Sequence, residues 1–148
     1  MGMIKDITKF HKKFDLQYQG PARMLNPELF HFRKRFMEEE LREWSESMDR
    51  VHEELMKPNP REEVIQDELE NQLDALVDLV YVALGTAHLQ GFSGIFLKAW
   101  KRVQKANMKK VRAERADQSK RGSTYDVVKP EGWKAPTLRD LIARTTRK

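Results

Sequence analysis

Residues 73–87, LDALVDLVYVALGTA, constrain the fold more than any other stretch of this chain. Almost every side chain in it is apolar, and its only charges are Asp74 and Asp78, four positions apart. A run that is apolar on all sides reads as a buried helix, and the four-residue spacing puts both carboxylates on one face. Ionised carboxylates do not stay in such a place alone, because each carries an effective desolvation penalty of several kcal/mol. The run is also shorter than the roughly 20 residues that span a bilayer. A core helix is expected, and the two acids need a partner.

Capping and breaking signals divide the rest of the chain. A first helix is expected over roughly Ile4 to Phe14, before Gly20, Pro21 and Pro27 break the pattern. Asn26 followed by Pro27 and Glu28 is a helix start, cap then first-turn proline then first-turn acid. The helix it opens is expected to reach about Met56, with Met37, Leu41, Trp44, Met48, Val51 and Leu55 forming an inward apolar stripe. KPNPRE separates it from a third helix, about Arg61 to Gln90, which Gly91 ends. A fourth is expected from a Ser93 cap to about Ala113, with Ile95, Phe96, Ala99, Trp100 and Val103 inward. A polar loop follows, then a short terminal helix capped by Thr137. No strand pattern of useful length appears.

The expected fold class is therefore all-α: an antiparallel four-helix-type bundle with a flexible C-terminal lid segment. The third helix is apolar on too many sides for a small monomer, so oligomerisation, as a homodimer or homotetramer, is expected to complete the bundle. A chain of 148 residues suits one domain. Its parts would be an N-terminal helix and loop over 1–26, a helical core over 27–113, and a lid with terminal helix over 114–148. The absence of cysteine excludes disulfides and thiolate metal sites. Met1 to Asp6 carry no apolar signal-peptide core. A cytoplasmic location away from membranes is expected.

Charge is segregated. Acids crowd the middle, at Glu38, Glu39, Glu40 and Glu43 and then from Glu62 to Asp78. Bases crowd the stretch from Lys98 to Arg121. The basic stretch can be solvated surface, a nucleic-acid-binding face, or the phosphate-holding half of a site whose other half holds a metal. Few aromatic residues interleave it, which disfavours stacking on single-stranded nucleic acid; no specific nucleic-acid partner is expected. Glu40 and Glu43 flank the Met37–Leu41–Trp44 stripe, at the edge of the expected core. If the two long helices pack antiparallel, Glu39, Glu40 and Glu43 can meet Asp74 and Asp78. A hard divalent cation would remove the resulting repulsion, and Mg²⁺ takes such oxygen ligands while keeping waters for substrate phosphates.

EEELREW followed by DALVDLVYVALG resembles the all-α nucleoside triphosphate pyrophosphohydrolases, the superfamily of MazG, the dimeric dUTPases and phosphoribosyl-ATP pyrophosphohydrolase. That superfamily carries E-E-x-x-E on one helix, matched here by Glu39, Glu40 and Glu43, and E-x-x-D on the next, matched at its last acid by Asp78. ANMKK resembles its N-x-x-K, and KPEGW resembles the C-terminal segment of the MazG-like dUTPase branch. The likeness covers about Phe30 to Trp133. It departs at Ala75, where the pattern has Glu, with Asp74 beside it.

The resemblance implies Mg²⁺-dependent hydrolysis between the α- and β-phosphates of a (d)NTP, giving a nucleoside monophosphate and pyrophosphate. It also implies a dUTPase-like or broad dNTP preference and a role in nucleotide-pool housecleaning. Phosphoribosyl-ATP pyrophosphohydrolase and a helical nucleic-acid-binding protein are the alternatives. In this reading Glu40, Glu43 and Asp78, with Asp74, hold Mg²⁺, or Mn²⁺ in its place. Glu39 helps bind a second ion or orients the attacking water. Asn107, Lys110 and Lys129 contact phosphate oxygens. KPEGW could close over substrate, with Trp133 as part of the lid or as a packing anchor. His11 and Phe14, in FHKKF, are candidates to meet the base, against the alternative of an ordinary amphipathic first helix.

Overall fold

The computed structural model describes residues 2–147. The fold is all-α as expected. In chain order it has α1 (Met3–Lys13), α2 (Pro27–Leu55), α3 (Glu62–Leu89), α4 (Phe96–Asn107), β1 (Val111–Arg112), β2 (Val127–Val128) and α5 (Arg139–Arg144). The described residues divide into two compact units, 2–19 with 23–91, and 20–22 with 92–147. No helix among them is long and apolar enough to cross a membrane.

The first unit is built on an αα-hairpin. Asn26 caps α2 as its sequence requires, its side chain accepting from the Leu29 N–H at 2.9 Å, with Pro27 in the first turn. At the other end, Glu54 accepts from the Lys57 ammonium, the Arg61 backbone N–H (2.9 Å) and the Arg61 Nε (3.3 Å). One carboxylate thereby clamps the turn that reverses the chain into α3. Arg33 on α2 reaches the Val82 carbonyl on α3 at 2.8 Å, and Ser47 reaches Glu68. These pairings fix an antiparallel register.

The buried residues of α2 include Arg33, Glu40, Ser47 and Glu54, and those of α3 include Glu68, Ala75, Val82 and Leu89. Both sets recur every seven residues, the repeat of a coiled-coil seam. The expected inward stripe is corrected here. Of its members Val51 is buried, but Leu41, Trp44, Met48 and Leu55 are exposed in the single chain. Leu69, Leu73, Leu76, Val77 and Val80 of α3 are exposed as well. The seam between the two long helices is largely polar, and much of their apolar surface is left over.

Against α3 also packs α1, through the buried Ile7 and His11. It ends at Lys13, where Asp15 takes a left-handed conformation (φ 55°) and the Leu16 N–H returns to the His11 carbonyl at 2.8 Å. This is a Schellman closure with Asp in the position glycine usually fills.

In the second unit α4 stops at Asn107, earlier than the sequence pattern suggested. Val111 and Arg112 leave the helix to pair antiparallel with Val128 and Val127. The ladder continues from the Ala113 N–H to the Asp126 carbonyl at 2.9 Å. Two-residue strands are too short to show alternation in a sequence, hence the missed ladder. Ile95, not Ser93, precedes α4, and Trp100 and Val103 are exposed rather than inward. Leu138, not Thr137, precedes α5. The Thr137 carbonyl instead accepts from Arg102, whose guanidinium forms a fork with Asp140 at 2.6 and 2.8 Å.

Candidate active site

Three glutamates are buried on the α2–α3 hairpin, and their surroundings differ. Glu68 accepts from Arg50 (2.8 Å), Ser47 (2.7 Å) and Asn71 (3.3 Å). The Arg50 and Ser47 hydrogen bonds hold its pKa down at about 2. Glu54 is held at about 2 by the Lys57 and Arg61 hydrogen bonds. Both are structural carboxylates with cationic partners. Neither stands out from the sequence, although for Glu54 the seven-residue spacing from Arg33 through Glu40 and Ser47 is a legible signal.

Glu40 is the exception. It is buried at 7 % exposure, and its Oε2 has no hydrogen-bond partner. Its pKa is pushed up, first by burial, then by the charges of Glu43, Asp78 and Glu39, the nearby Glu43 carboxyl also favouring the protonated form. A buried acceptor without a partner costs about 1–3 kcal/mol, and here three further acids add repulsion. An arrangement so costly to the fold points to a use other than stability.

The structure therefore gathers Glu39, Glu40 and Glu43 from α2 with Asp78 from α3. Glu39 and Glu43 are exposed and Asp78 is half-buried. Asp74 lies one turn before Asp78 and is exposed, so the expectation that both aspartates are buried is corrected for Asp74. Its neighbours Leu73, Leu76 and Val77 are exposed too, because the apolar run presents an open face in the single chain. Ala75, at the position where the motif has Glu, is buried in the seam.

In the side-chain positions of this structure, no three His, Asp or Glu among the described residues already form a metal-holding group. The chemistry of the set nevertheless fits a hard divalent cation. Its donors are all carboxylate oxygens, the buried Glu40 Oε2 lacks a partner, and Glu39 and Glu43 are exposed at the rim. A cation of this kind would satisfy the orphaned oxygen and offset the repulsion.

The remaining candidates are placed as follows. His11 is buried, shares a 2.9 Å hydrogen bond between its Nδ1 and the Ile7 carbonyl, and stacks on His88 with ring centroids 4.6 Å apart. Burial and the neighbouring His11 push the His88 pKa down. Phe14 is exposed at the end of α1, against Phe10. In the second unit Asn107 is the last residue of α4 and is exposed. Trp133 donates from its indole N–H to the Ala106 carbonyl at 2.7 Å. The Lys110 and Lys129 ammonium groups stand 5.2 and 4.9 Å from the centre of its ring. Trp133 is thus an anchor that collects both lysines.

The family model of phosphoribosyl-ATP pyrophosphohydrolase matches residues 7–107, about two thirds of the chain. The matched span contains the whole carboxylate group and Asn107, and stops before Lys110, Lys129 and Trp133. No curated protein matches the chain. On the family match, the chain belongs to the phosphoribosyl-ATP pyrophosphohydrolase family, within the all-α nucleoside triphosphate pyrophosphohydrolases, and is a hydrolase of phosphoric anhydrides.

Proposed function

We propose that the chain cleaves the α–β phosphoanhydride of a nucleoside triphosphate in a Mg²⁺-dependent reaction, releasing a nucleoside monophosphate and pyrophosphate. The observation that carries this reading is the buried, partnerless Glu40 oxygen among three further acids. Glu40, Glu43 and Asp78, with Asp74, would hold the ion, for which Mn²⁺ could substitute. When bound, it would supply charge neutralisation to the phosphates and acidify a water. Glu39, exposed beside the group, would orient the attacking water and take its proton. Asn107, Lys110 and Lys129 are proposed as contacts to phosphate oxygens, the lysines acting as point charges.

The family's namesake substrate carries a triphosphate, so phosphoribosyl-ATP and simple (d)NTPs undergo the same bond cleavage. We favour a (d)NTP, dUTP among them, consumed in nucleotide-pool housecleaning at a cytoplasmic location. The nucleic-acid alternative is weakened by the basic stretch itself, where Arg102, Arg115 and Arg121 are engaged by Asp140, Asp117 and Asp126. The exposed apolar faces of α2 and α3 support self-association as a homodimer or homotetramer.

Phosphorus NMR of reactions with phosphoribosyl-ATP and each (d)NTP tests the reading. Pyrophosphate and the monophosphate are expected, with turnover abolished by EDTA and restored by Mg²⁺ or Mn²⁺. A nucleoside diphosphate as first product, or full turnover after chelation, would contradict it.

A further inference from the structure

Arg33 is the one buried arginine or lysine among the described residues. Its Nε donates to the Thr86 hydroxyl at 3.0 Å and its Nη2 to the Val82 carbonyl at 2.8 Å, both neutral acceptors. No carboxylate pairs with it among the described residues, unlike Glu54 and Glu68, each of which has a cation. Burial pushes its pKa down. The fold makes room for it: a Cβ on Gly85 would lie 2.7 Å from the Arg33 Nη2. A fixed guanidinium with no carboxylate beside it is costly even with the centre of the Phe36 ring 5.5 Å away, and it stands in the wall of a cavity of about 480 Å³.

The other walls indicate what the cavity fits. Met24, Leu25, Phe30 and Met37 give it an apolar side, while His31, Lys34 and Gln90 line it with Thr86 near the guanidinium. Apolar walls with a small number of polar groups describe a small-molecule site, and the Phe30 and Met37 side of it suits a planar ring. Arg33 also precedes Glu40 by seven residues on the same buried face of α2, about 10 Å along the helix. A nucleoside bridges such a span between its α-phosphate and its base.

We propose that this cavity takes the base of the substrate nucleotide and that Arg33 donates to an acceptor edge of that base. This rests on the proposed pyrophosphohydrolysis at Glu40. Guanidinium is a donor only, so it matches an edge carrying a carbonyl oxygen, as in guanine O6 with N7 or uracil O4. It opposes the exocyclic amine of adenine or cytosine, which is also a donor. Guanosine and uridine nucleotides are therefore preferred over adenosine and cytidine ones.

The test has two readouts on the full chain. The first is equilibrium binding of GMP, UMP, AMP and CMP without divalent metal, which needs no turnover. The second is KM for the corresponding triphosphates with Mg²⁺. Wild type should bind GMP and UMP at least about 10-fold tighter than AMP and CMP. Arg33→Met, which keeps an apolar stem but removes every donor, should abolish that preference. Because Arg33→Met can also disturb the seam, Phe30→Ala serves as a second variant; Phe30 is 51 % exposed, so the fold does not depend on it. It should raise KM for all four triphosphates. Equal binding of all bases by wild type, or a folded Arg33→Met with wild-type preference, overturns the proposal, as does Phe30→Ala with wild-type KM. Arg33-dependent binding in a protein that hydrolyses none of the triphosphates would keep the pocket and reject the hydrolysis reading.

Discussion

Asp78 on α3 lies near enough to Glu40 on α2 that its charge pushes the Glu40 pKa up, although the two residues stand on different helices. Glu43 and Glu39 act in the same direction. Two helical turns away on either side, Arg33 and Ser47 make ordinary hydrogen bonds to α3. The hairpin thus spends its structural hydrogen bonds on both flanks and leaves acids gathered in the middle.

Glu40→Gln should separate structure from chemistry. The amide is nearly isosteric and removes the repulsion, so the metal-free variant should melt at or above the wild-type temperature. Its turnover should fall at least about 100-fold, since even residues that merely support a metal ligand are worth about 10–100-fold. Glu54→Gln should do the opposite, melting earlier because one amide oxygen cannot serve both Lys57 and the Arg61 N–H, which now take separate carboxylate oxygens, and the charge opposite both cations is lost, with kcat unchanged below the transition. Thermal melts beside initial rates check both.

Acid should unfold the hairpin in a defined window. Glu54 and Glu68 have folded pKa values of about 2 against an ordinary 4.5. Their stabilisation is present above 4.5 and is lost as pH falls toward 2. Glu40 has the reverse sign, its folded pKa being raised, so its ionisation removes stability as pH rises through that value. Melting of the metal-free protein should therefore rise from pH 2 to about 5. At higher pH, wild type should lose stability relative to Glu40→Gln. A flat difference between the two proteins across neutral pH would show that Glu40 carries no such penalty.

Asp78→Asn and Asp74→Asn test the departure at Ala75. Asp78 lies within the gathered group, so its loss should cost turnover about as much as that of Glu40. Asp74 is exposed, and only if it too holds the ion will Asp74→Asn show a comparable loss. Near-normal rates would make it a bystander of the open apolar face.

Lys110→Ala and Lys129→Ala distinguish phosphate contact from packing on Trp133. Phosphate contact predicts impaired kcat/KM, with a salt dependence weaker than in wild type. Packing alone predicts a stability loss of about 0.5–1 kcal/mol with wild-type kinetics.

Leu73→Asp or Leu76→Asp on the exposed face of α3 should dissociate the proposed oligomer and make melting independent of protein concentration. Sedimentation at several concentrations checks this. Wild type that stays monomeric throughout would remove self-association from the account.

Much of the fold was legible because its punctuation is local. Asn26 with Pro27, and the KPNPRE break, mark helix ends by chemistry that does not depend on packing. Which face of α2 is buried was not legible. The apolar stripe of Leu41, Trp44 and Met48 outweighs a polar seam in any hydropathy pattern, yet Glu40, Ser47 and Glu54 are the residues buried in the single chain. Polar side chains enter that seam because each of Ser47 and Glu54 finds a partner there, which a sequence does not display. The acids of the site were legible as residue types at helical spacing, whereas the exposure of Asp74 depends on the tertiary arrangement. Arg33 was missed because RKR in FRKRF reads as solvated surface until Gly85 and Thr86 are seen to receive it.

The central claim is that the acids around Glu40 hold a divalent cation. Thermal melting of wild type and Glu40→Gln, each titrated with Mg²⁺, tests it without reference to substrate or product. The account predicts that wild type is stabilised progressively as Mg²⁺ rises, and that Glu40→Gln loses most of that gain while remaining folded. An equal Mg²⁺ response in the two proteins, or none in wild type, would contradict it.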